Sequence, residues 1–447
     1  MKTRTVSVVL ALLAVLHVPF AAAFAGSASA RVRESRRESV SLAVAAAATQ
    51  TQAGESARPG QQRPAPSPAK SAPTGTLFEN VLAVLQKRYY DERFRVEVLP
   101  KLAAQFAEKA RRATTLSEQR GVVQELLSHI PASHLGLLSK QSYRYVMSDL
   151  QGRAYPTFGF QLIETKGKLY AFFVLEDGPA ERAGLLAWDR VVSIDGVPTQ
   201  ESPRLEWRTD DAYIPDERDP AVHYLTAVQG DTIRVKVERR RNEFVEVSIA
   251  AAPYSAFAAA KASARVYKTG GRRIGYLHFW YVHMTGVPEL LKEKLEGDFG
   301  SCDALVLDLR GRGGNGLVIS QIIDILRADN ATRHRPIVAL VDRQSRSAKD
   351  VLAYELKRTE LARIVGERTA GAVIPATFAD VGHDTMLMFP SFKLARYTDL
   401  LELKPVEPDL FVERAGPLSA GNDPILKAGL DEAVRLAGAS VKWASAR

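Results

Sequence analysis

Ala304-Leu305-Val306-Leu307-Asp308-Leu309-Arg310-Gly311-Arg312-Gly313-Gly314-Asn315-Gly316 is the stretch that decides the fold. An apolar run of strand length empties into a glycine loop, and the following residues predict a helix over Leu317–Leu326. Glycines let the backbone approach a ligand and turn its N–H groups outward at a helix start. Such a loop cradles a phosphate, forms an oxyanion hole, or is only a tight strand–helix turn. The Gly-Lys-Ser/Thr ending of a phosphate loop is missing, which argues against phosphate binding. The same strand-then-helix alternation recurs on both sides, at Ile274–Phe279 and Ile337–Val341, and predicts a layered αβ core over residues 254–440.

Working outward, residues 155–253 read as a β-rich module. Strands are expected at Gly159–Leu162, Tyr170–Leu175, Thr232–Glu238 and Phe244–Ala250, with a turn near Arg241-Asn242. Residues 76–150 read as a helical domain, because Leu82, Val84, Leu85, Leu102, Phe106 and Ala110 recur at helical spacing. Residues 31–75 carry Pro59, Pro64, Pro66, Pro68 and Pro73 among Ala, Ser, Gln and Arg, a composition that cannot bury enough apolar surface to fold. They predict a disordered linker. Residues 1–30 read as an export signal: Lys2 and Arg4 precede the apolar run Val6–Val18, with small-residue cleavage sites ending at Ala23, Ala25 or Ala30.

The chain has 447 residues and a net charge of +9. Its first 75 residues hold nine basic against three acidic residues, so the remainder carries only +3. The basicity belongs to the tail, and a nucleic-acid surface is not supported. The single cysteine, Cys302, excludes an intrachain disulfide and a cysteine-cluster metal site.

Two further segments carry candidate chemistry. Ser347, in Ser345-Arg346-Ser347-Ala348-Lys349-Asp350, follows a strand and opens a helix. Its hydroxyl is either a helix cap or a nucleophile at the positive end of the helix dipole. Lys349 lies two helical residues on, rotated about 200° from Ser347, and is expected to be a solvated side chain. Ser133-His134 supplies an imidazole outside any metal-ligand spacing; none of the eight histidines forms a His-x-x-x-His pair, and no metal is expected.

Taken together, these segments resemble the C-terminal processing (tail-specific) serine peptidase family over residues 76–435. Gly178-Pro179-Ala180-Glu181-Arg182-Ala183-Gly184-Leu185 with Asp189…Ile194-Asp195-Gly196 resembles the family's PDZ module. Asp308–Gly314 resembles its glycine loop, and Ser345–Ala348 with Val365–Gly371 its nucleophile segment. The serine–lysine dyad of the processing branch is missing, since Ala372 stands where its lysine belongs. Ser133-His134 and Glu402-Leu403-Lys404-Pro405-Val406-Glu407-Pro408-Asp409 instead resemble the tricorn-like branch.

The resemblance implies an α/β multidomain protein with a PDZ-like module at 155–253 and a crotonase/ClpP-like layered core. It implies Ser347 as nucleophile, His134 as base, Ser133 and Glu402 as its supports, and Gly313, Gly314 and Ala348 as oxyanion donors. Gly159 and Phe160 would receive a substrate tail. Arg312, where the family often has asparagine, would narrow the hole or bind a substrate carboxylate. The expected protein is an exported, periplasmic or secreted endopeptidase without cofactor, acting on peptides or unfolded proteins. A homo-oligomer is open, and membrane attachment follows only if the signal segment is retained. The alternatives are an inactive ligand- or peptide-binding protein on the same scaffold, and a PDZ-type scaffold for envelope partners.

Overall fold

A computed structural model describes residues 75–208, 222–283 and 286–444. The expected export segment and nearly all of the expected linker lie outside the described residues. No helix among the described residues is long and apolar enough to cross a membrane.

The described chain opens with α1 (Leu77–Arg88), a π-helical turn at Phe94–Val98, α2 (Leu99–Arg112) and α3 (Leu116–Leu127). Two of these starts are written locally as capping boxes: Thr76 with Glu79, and Thr115 with Glu118, each satisfying two orphan N–H groups. The apolar faces meet through Leu77, Val81, Leu85, Leu102, Phe106, Val123 and Leu127. Then follow β1 (Gly136–Ser139) and α4 (Lys140–Leu150).

Next come β2 (Tyr155–Thr157), β3 (Gln161–Thr165), β4 (Lys168–Phe172), α5 (Pro179–Arg182), β5 (Arg190–Ile194), β6 (Val197–Pro198), β7 (Val222–His223), β8 (Thr232–Arg240), β9 (Glu243–Ala250) and β10 (Ala252–Tyr254). Most of them form one antiparallel sheet in the order β7-β3-β4-β5-β8-β9, with β6 on β5, while β10 pairs with β2. The β8–β9 hairpin turns at Arg241-Asn242, where Asn242 takes a φ of 62° that asparagine tolerates. Inward residues of β8 alternate, Ile233, Val235 and Val237 entering a core with Phe160, Leu162, Ile194 and Ile249.

The remaining elements are α6 (Ala256–Ser263), β11 (Arg265–Thr269), β12 (Arg272–His278), α7 (Val287–Glu296), β13 (Ala304–Asp308), α8 (Ile319–Arg333), β14 (Ile337–Val341), α9 (Ala348–Arg358), β15 (Arg363–Gly366), β16 (Ala376–Asp380), β17 (Thr385–Pro390), α10 (Ala395–Leu401), β18 (Leu410–Phe411) and α11 (Pro424–Ala444). A six-stranded sheet runs β11-β12-β13-β14-β15-β18, parallel from β12 onward. Every residue of β13 and β14 is buried, as expected of parallel strands covered on both faces. One face packs Val306, Val338, Leu340 and Val365 on Ile425, Ala433 and Ala437 of α11.

Two features of this topology position the site. The glycine loop leaves the carboxyl end of β13 and Ser347 leaves that of the adjacent β14, where open αβ sheets place their ligands. A separate three-stranded sheet, β1-β17-β16, pairs Gly136 with Met388 and so ties the Ser133-His134 turn to the C-terminal half of the chain.

Candidate active site

Ser347 closes the turn between β14 and α9 with a φ of 57°. That region costs a non-glycine residue about 1–3 kcal/mol and persists only when the surroundings enforce it. Here Ser345 Oγ donates to Leu309 O (2.8 Å) and accepts from Asp342 N–H (3.0 Å). Ser345 O accepts from Ala370 N–H (2.9 Å), and Ser347 N–H donates to Ala372 O (2.7 Å). Of the two sequence readings, capping fails: the Ser347 hydroxyl makes no capping bond, and the side chain stays half-buried.

Ser133, His134 and Glu402 come together from positions 268 and 269 residues apart in the chain. Ser133 Oγ lies 2.8 Å from His134 Nδ1. Glu402 accepts Ser133 N–H at Oε1 (2.7 Å) and Ser133 O–H at Oε2 (3.2 Å). Its Oε2 also accepts the N–H groups of Val373 and Ile374, both at 2.9 Å. Ser133 and His134 are buried, and His134 is itself left-handed, with φ 58°. Residues 372–374 therefore join the two halves: the carbonyl of Ala372 holds Ser347, and the next two N–H groups hold Glu402.

Asp350 anchors this joining segment. Its carboxylate accepts Gly371 N–H (3.1 Å) and Ala372 N–H (3.0 Å), and burial pushes its pKa up to about 6. The sequence reading passed it over, although an acid in the first turn of the helix behind Ser347 was the available signal. The backbone donors of Val373 and Ile374 leave no side-chain signature at all.

The glycine loop runs over Ser347. A Cβ on Gly313 would lie 3.2 Å from Ser347 Cβ, and one on Gly314 (φ 140°) would strike Val282 N and O at 2.4 Å. Val282 N–H donates to Gly313 O (3.1 Å), and Asn315 N–H donates to Val282 O (2.6 Å). Because a trans peptide points its C=O and N–H in opposite directions, the Gly314 N–H faces away from Val282. Among the described residues no group accepts the N–H of Gly313, Gly314 or Ala348.

The solvated reading of Lys349 is overturned. Lys349 is 0% exposed, and its Nζ donates to Arg310 O (2.6 Å) and Trp280 O (3.1 Å). It faces away from Ser347, but in the first turn of α9 that direction is the interior. Burial pushes its pKa down to about 7.

The expected substrate contacts lie on the module side. Arg312 is buried and lines a small enclosed cavity with Gln161, Phe173 and Trp280. Gly159 (φ 78°) donates its N–H to Thr157 Oγ1 (3.0 Å), accepts Leu175 N–H at its carbonyl (2.9 Å), and sits where a Cβ would meet Pro179 Cδ at 2.7 Å. Phe160 is a core residue of the module. The adjoining strand β3 has neighbours on both edges, β4 on one and Val222–His223 on the other.

Residues 320–412 match the model of peptidase family S41. The chain is 22% identical over 354 residues to the carboxy-terminal processing protease CtpB of Bacillus subtilis (strain 168), covering 72% of this chain and 67% of that protein. It is 23% identical over 280 residues to a carboxyl-terminal-processing protease of Picosynechococcus sp., covering 58% of this chain and 64% of the relative. The chain thus spans about two thirds of the length of these relatives. Among solved structures, the photosystem II D1 C-terminal processing protease aligns with a TM-score of 0.45 at 15% identity, over 78% of this chain and 97% of that one. The tricorn protease aligns at 0.44 and 16%, over 81% and 36%. The matched segment contains both Ser347 and Glu402, and these similarities support a serine peptidase related to family S41.

Proposed function

We propose that this peptidase is an exported endopeptidase that hydrolyses peptides or unfolded proteins through a Ser347–His134–Ser133–Glu402 tetrad. One observation carries the reading: Ser133 Oγ touches both His134 Nδ1 and Glu402 Oε2. A hydroxyl has one proton. With that proton on Glu402, Ser133 accepts from Nδ1–H, which leaves Nε2 of His134 unprotonated and able to act as the base.

His134 takes the Ser347 proton as Oγ attacks the scissile carbonyl carbon, and returns it to the leaving amine. The N–H groups of Gly313, Gly314 and Ala348, which no other described group accepts, receive the oxyanion. Water, deprotonated by His134, then attacks the acyl carbon, the bond to Ser347 Oγ breaks, and His134 returns the proton to Oγ. Lys349 is not a rival base, because its Nζ is committed to two carbonyls.

The domain layout proposed is a helical domain at 76–150, a PDZ-like module at 155–253 and the catalytic core at 254–440. We assign the module to gating rather than to open tail capture. Phe173 packs against the glycine loop, where a Cβ on Gly311 would lie 2.7 Å from its Cε1, and both edges of β3 are occupied. A substrate tail adds at Gly159–Phe160 only after Val222–His223 leave. Arg312, within the loop, then meets substrate carboxylate.

The test is hydrolysis of a flexible peptide by the wild-type protein, Ser347→Ala and His134→Ala, with free and amidated C-termini. Cleavage lost in both variants supports the tetrad. Cleavage retained by folded Ser347→Ala defeats it, and no cleavage by the wild type favours the inactive binding protein. Equal rates on free and amidated tails count against carboxylate recognition.

A further inference from the structure

We propose that Lys349 is a positioning residue whose side chain clamps the glycine loop to the helix that Ser347 begins. The inference rests on the reading of Ser347 as nucleophile and of that loop as the oxyanion site.

Lysine is almost never fully buried unless something holds its head group. Lys349 is fully buried, and among the described residues its Nζ touches no carboxylate; its two partners are the carbonyls of Arg310 and Trp280. Those carbonyls are not arbitrary. Arg310 immediately precedes Gly311–Gly314, just past the end of β13. Trp280 stands two residues before Val282, which brackets the same loop by taking Gly313 O and giving its own carbonyl to Asn315. Both walls of the loop therefore hang on one nitrogen carried two residues beyond Ser347.

The lysine's own backbone is fixed to the nucleophile turn, with Lys349 N–H on Arg346 O (3.1 Å) and Val351 N–H on Ser347 O (3.2 Å). Arg310 is held from its other side, its guanidinium between Asp308 and Asp423 at 2.6–3.0 Å. Beside a second link, Gly311 N–H on Asp342 Oδ1 (3.1 Å), Lys349 thus sets the height of the loop over Ser347. A shift of about 1 Å in such a placement costs roughly 100-fold in rate.

The experiment measures kcat and KM on a fluorogenic peptide for the wild type, Lys349→Met and Lys349→Gln. Hydrogen exchange is followed alongside in peptides spanning 280–283 and 310–316. For Lys349→Met we expect kcat to fall about 100-fold with KM within threefold, and exchange to quicken in those two segments only. Lys349→Gln, which keeps a donor, should recover part of both. A folded Lys349→Met with kcat within threefold of wild type, or with a loss carried by KM, overturns the proposal. So does failure of both variants to fold, which would make the lysine a residue of the whole fold. Should the wild type itself be inactive, the nucleophile reading fails, and unchanged exchange in Lys349→Met would still refute the clamp independently.

Discussion

Replacing Glu402 with glutamine isolates the charge at the half-buried end of the proposed tetrad while keeping its shape. The carboxylate accepts four donors, one at Oε1 (Ser133 N–H) and three at Oε2 (Ser133 O–H, Val373 N–H and Ile374 N–H). A glutamine side chain accepts at one end only, so its oxygen settles where three donors converge and its NH₂ faces Ser133 N–H. One charge-assisted bond is lost, worth about 1.5–3 kcal/mol, and a buried donor is left unpaired. If the lost stabilisation falls wholly on the transition state, kcat/KM drops about 10- to 150-fold, at about 1.4 kcal/mol per factor of ten. The bonds that Val373 and Ile374 keep, beside Ala372, now go to a neutral oxygen and weaken, so the thermal midpoint falls as well. The assay pairs the second-order rate of Ser347 phosphonylation with thermal unfolding. A folded Glu402→Gln protein that reacts within twofold of wild type would refute the claim that Glu402 orients His134 through Ser133.

Other consequences follow from single contacts. Gly314→Ala places a Cβ 2.4 Å from the backbone of Val282 at a φ of 140°, so the loop must move; peptidase activity should fall more than 100-fold, and near-wild-type turnover would contradict the oxyanion assignment. Asp149, buried against Tyr155 OH (3.0 Å) and Tyr224 OH (2.7 Å), has its pKa raised to about 7 by burial. The folded state then holds this proton more tightly than the unfolded chain between pH 4 and 7, so its stabilisation is present below about pH 4 and lost as pH rises through 7. Asp149→Asn should therefore unfold at a higher temperature than wild type at pH 8 and at a similar one near pH 4.5. Parallel midpoint curves for the two proteins would contradict this.

Some of this molecule was plain in its sequence, for identifiable reasons. Ile337–Val341 was bounded correctly because a continuous apolar run of five residues suits a strand buried on both faces. The helix after the glycine loop begins at Ile319 rather than Leu317 because Gly316–Val318 forms a 3-10 turn, its Leu317 N–H held by Asn315 Oδ1 at 2.9 Å. Lys349 was misread for a subtler reason. Helical geometry gives its direction relative to Ser347 but says nothing of what lies in that direction. Since Ala348, Lys349, Asp350, Val351 and Leu352 are all buried, the first turn of α9 has no solvent side.

The Ser133–His134–Glu402 grouping came from resemblance to a family and not from spacing. Its cohesion depends on β1 pairing with β17 and on two backbone N–H groups at 373 and 374, features with no local sequence mark. The burial of Arg312 was equally hidden, because nothing in the loop's own sequence shows that the module's Gln161 and Phe173 lie beside it.

The central claim, that Ser347 is an activated nucleophile served by His134, is tested most directly by reaction with a fluorophosphonate probe followed by peptide mapping. One adduct is predicted, on the peptide containing Ser347, absent in Ser347→Ala and formed at least 100-fold more slowly in His134→Ala. No adduct on the folded wild-type protein, or an adduct that survives Ser347→Ala, would contradict it.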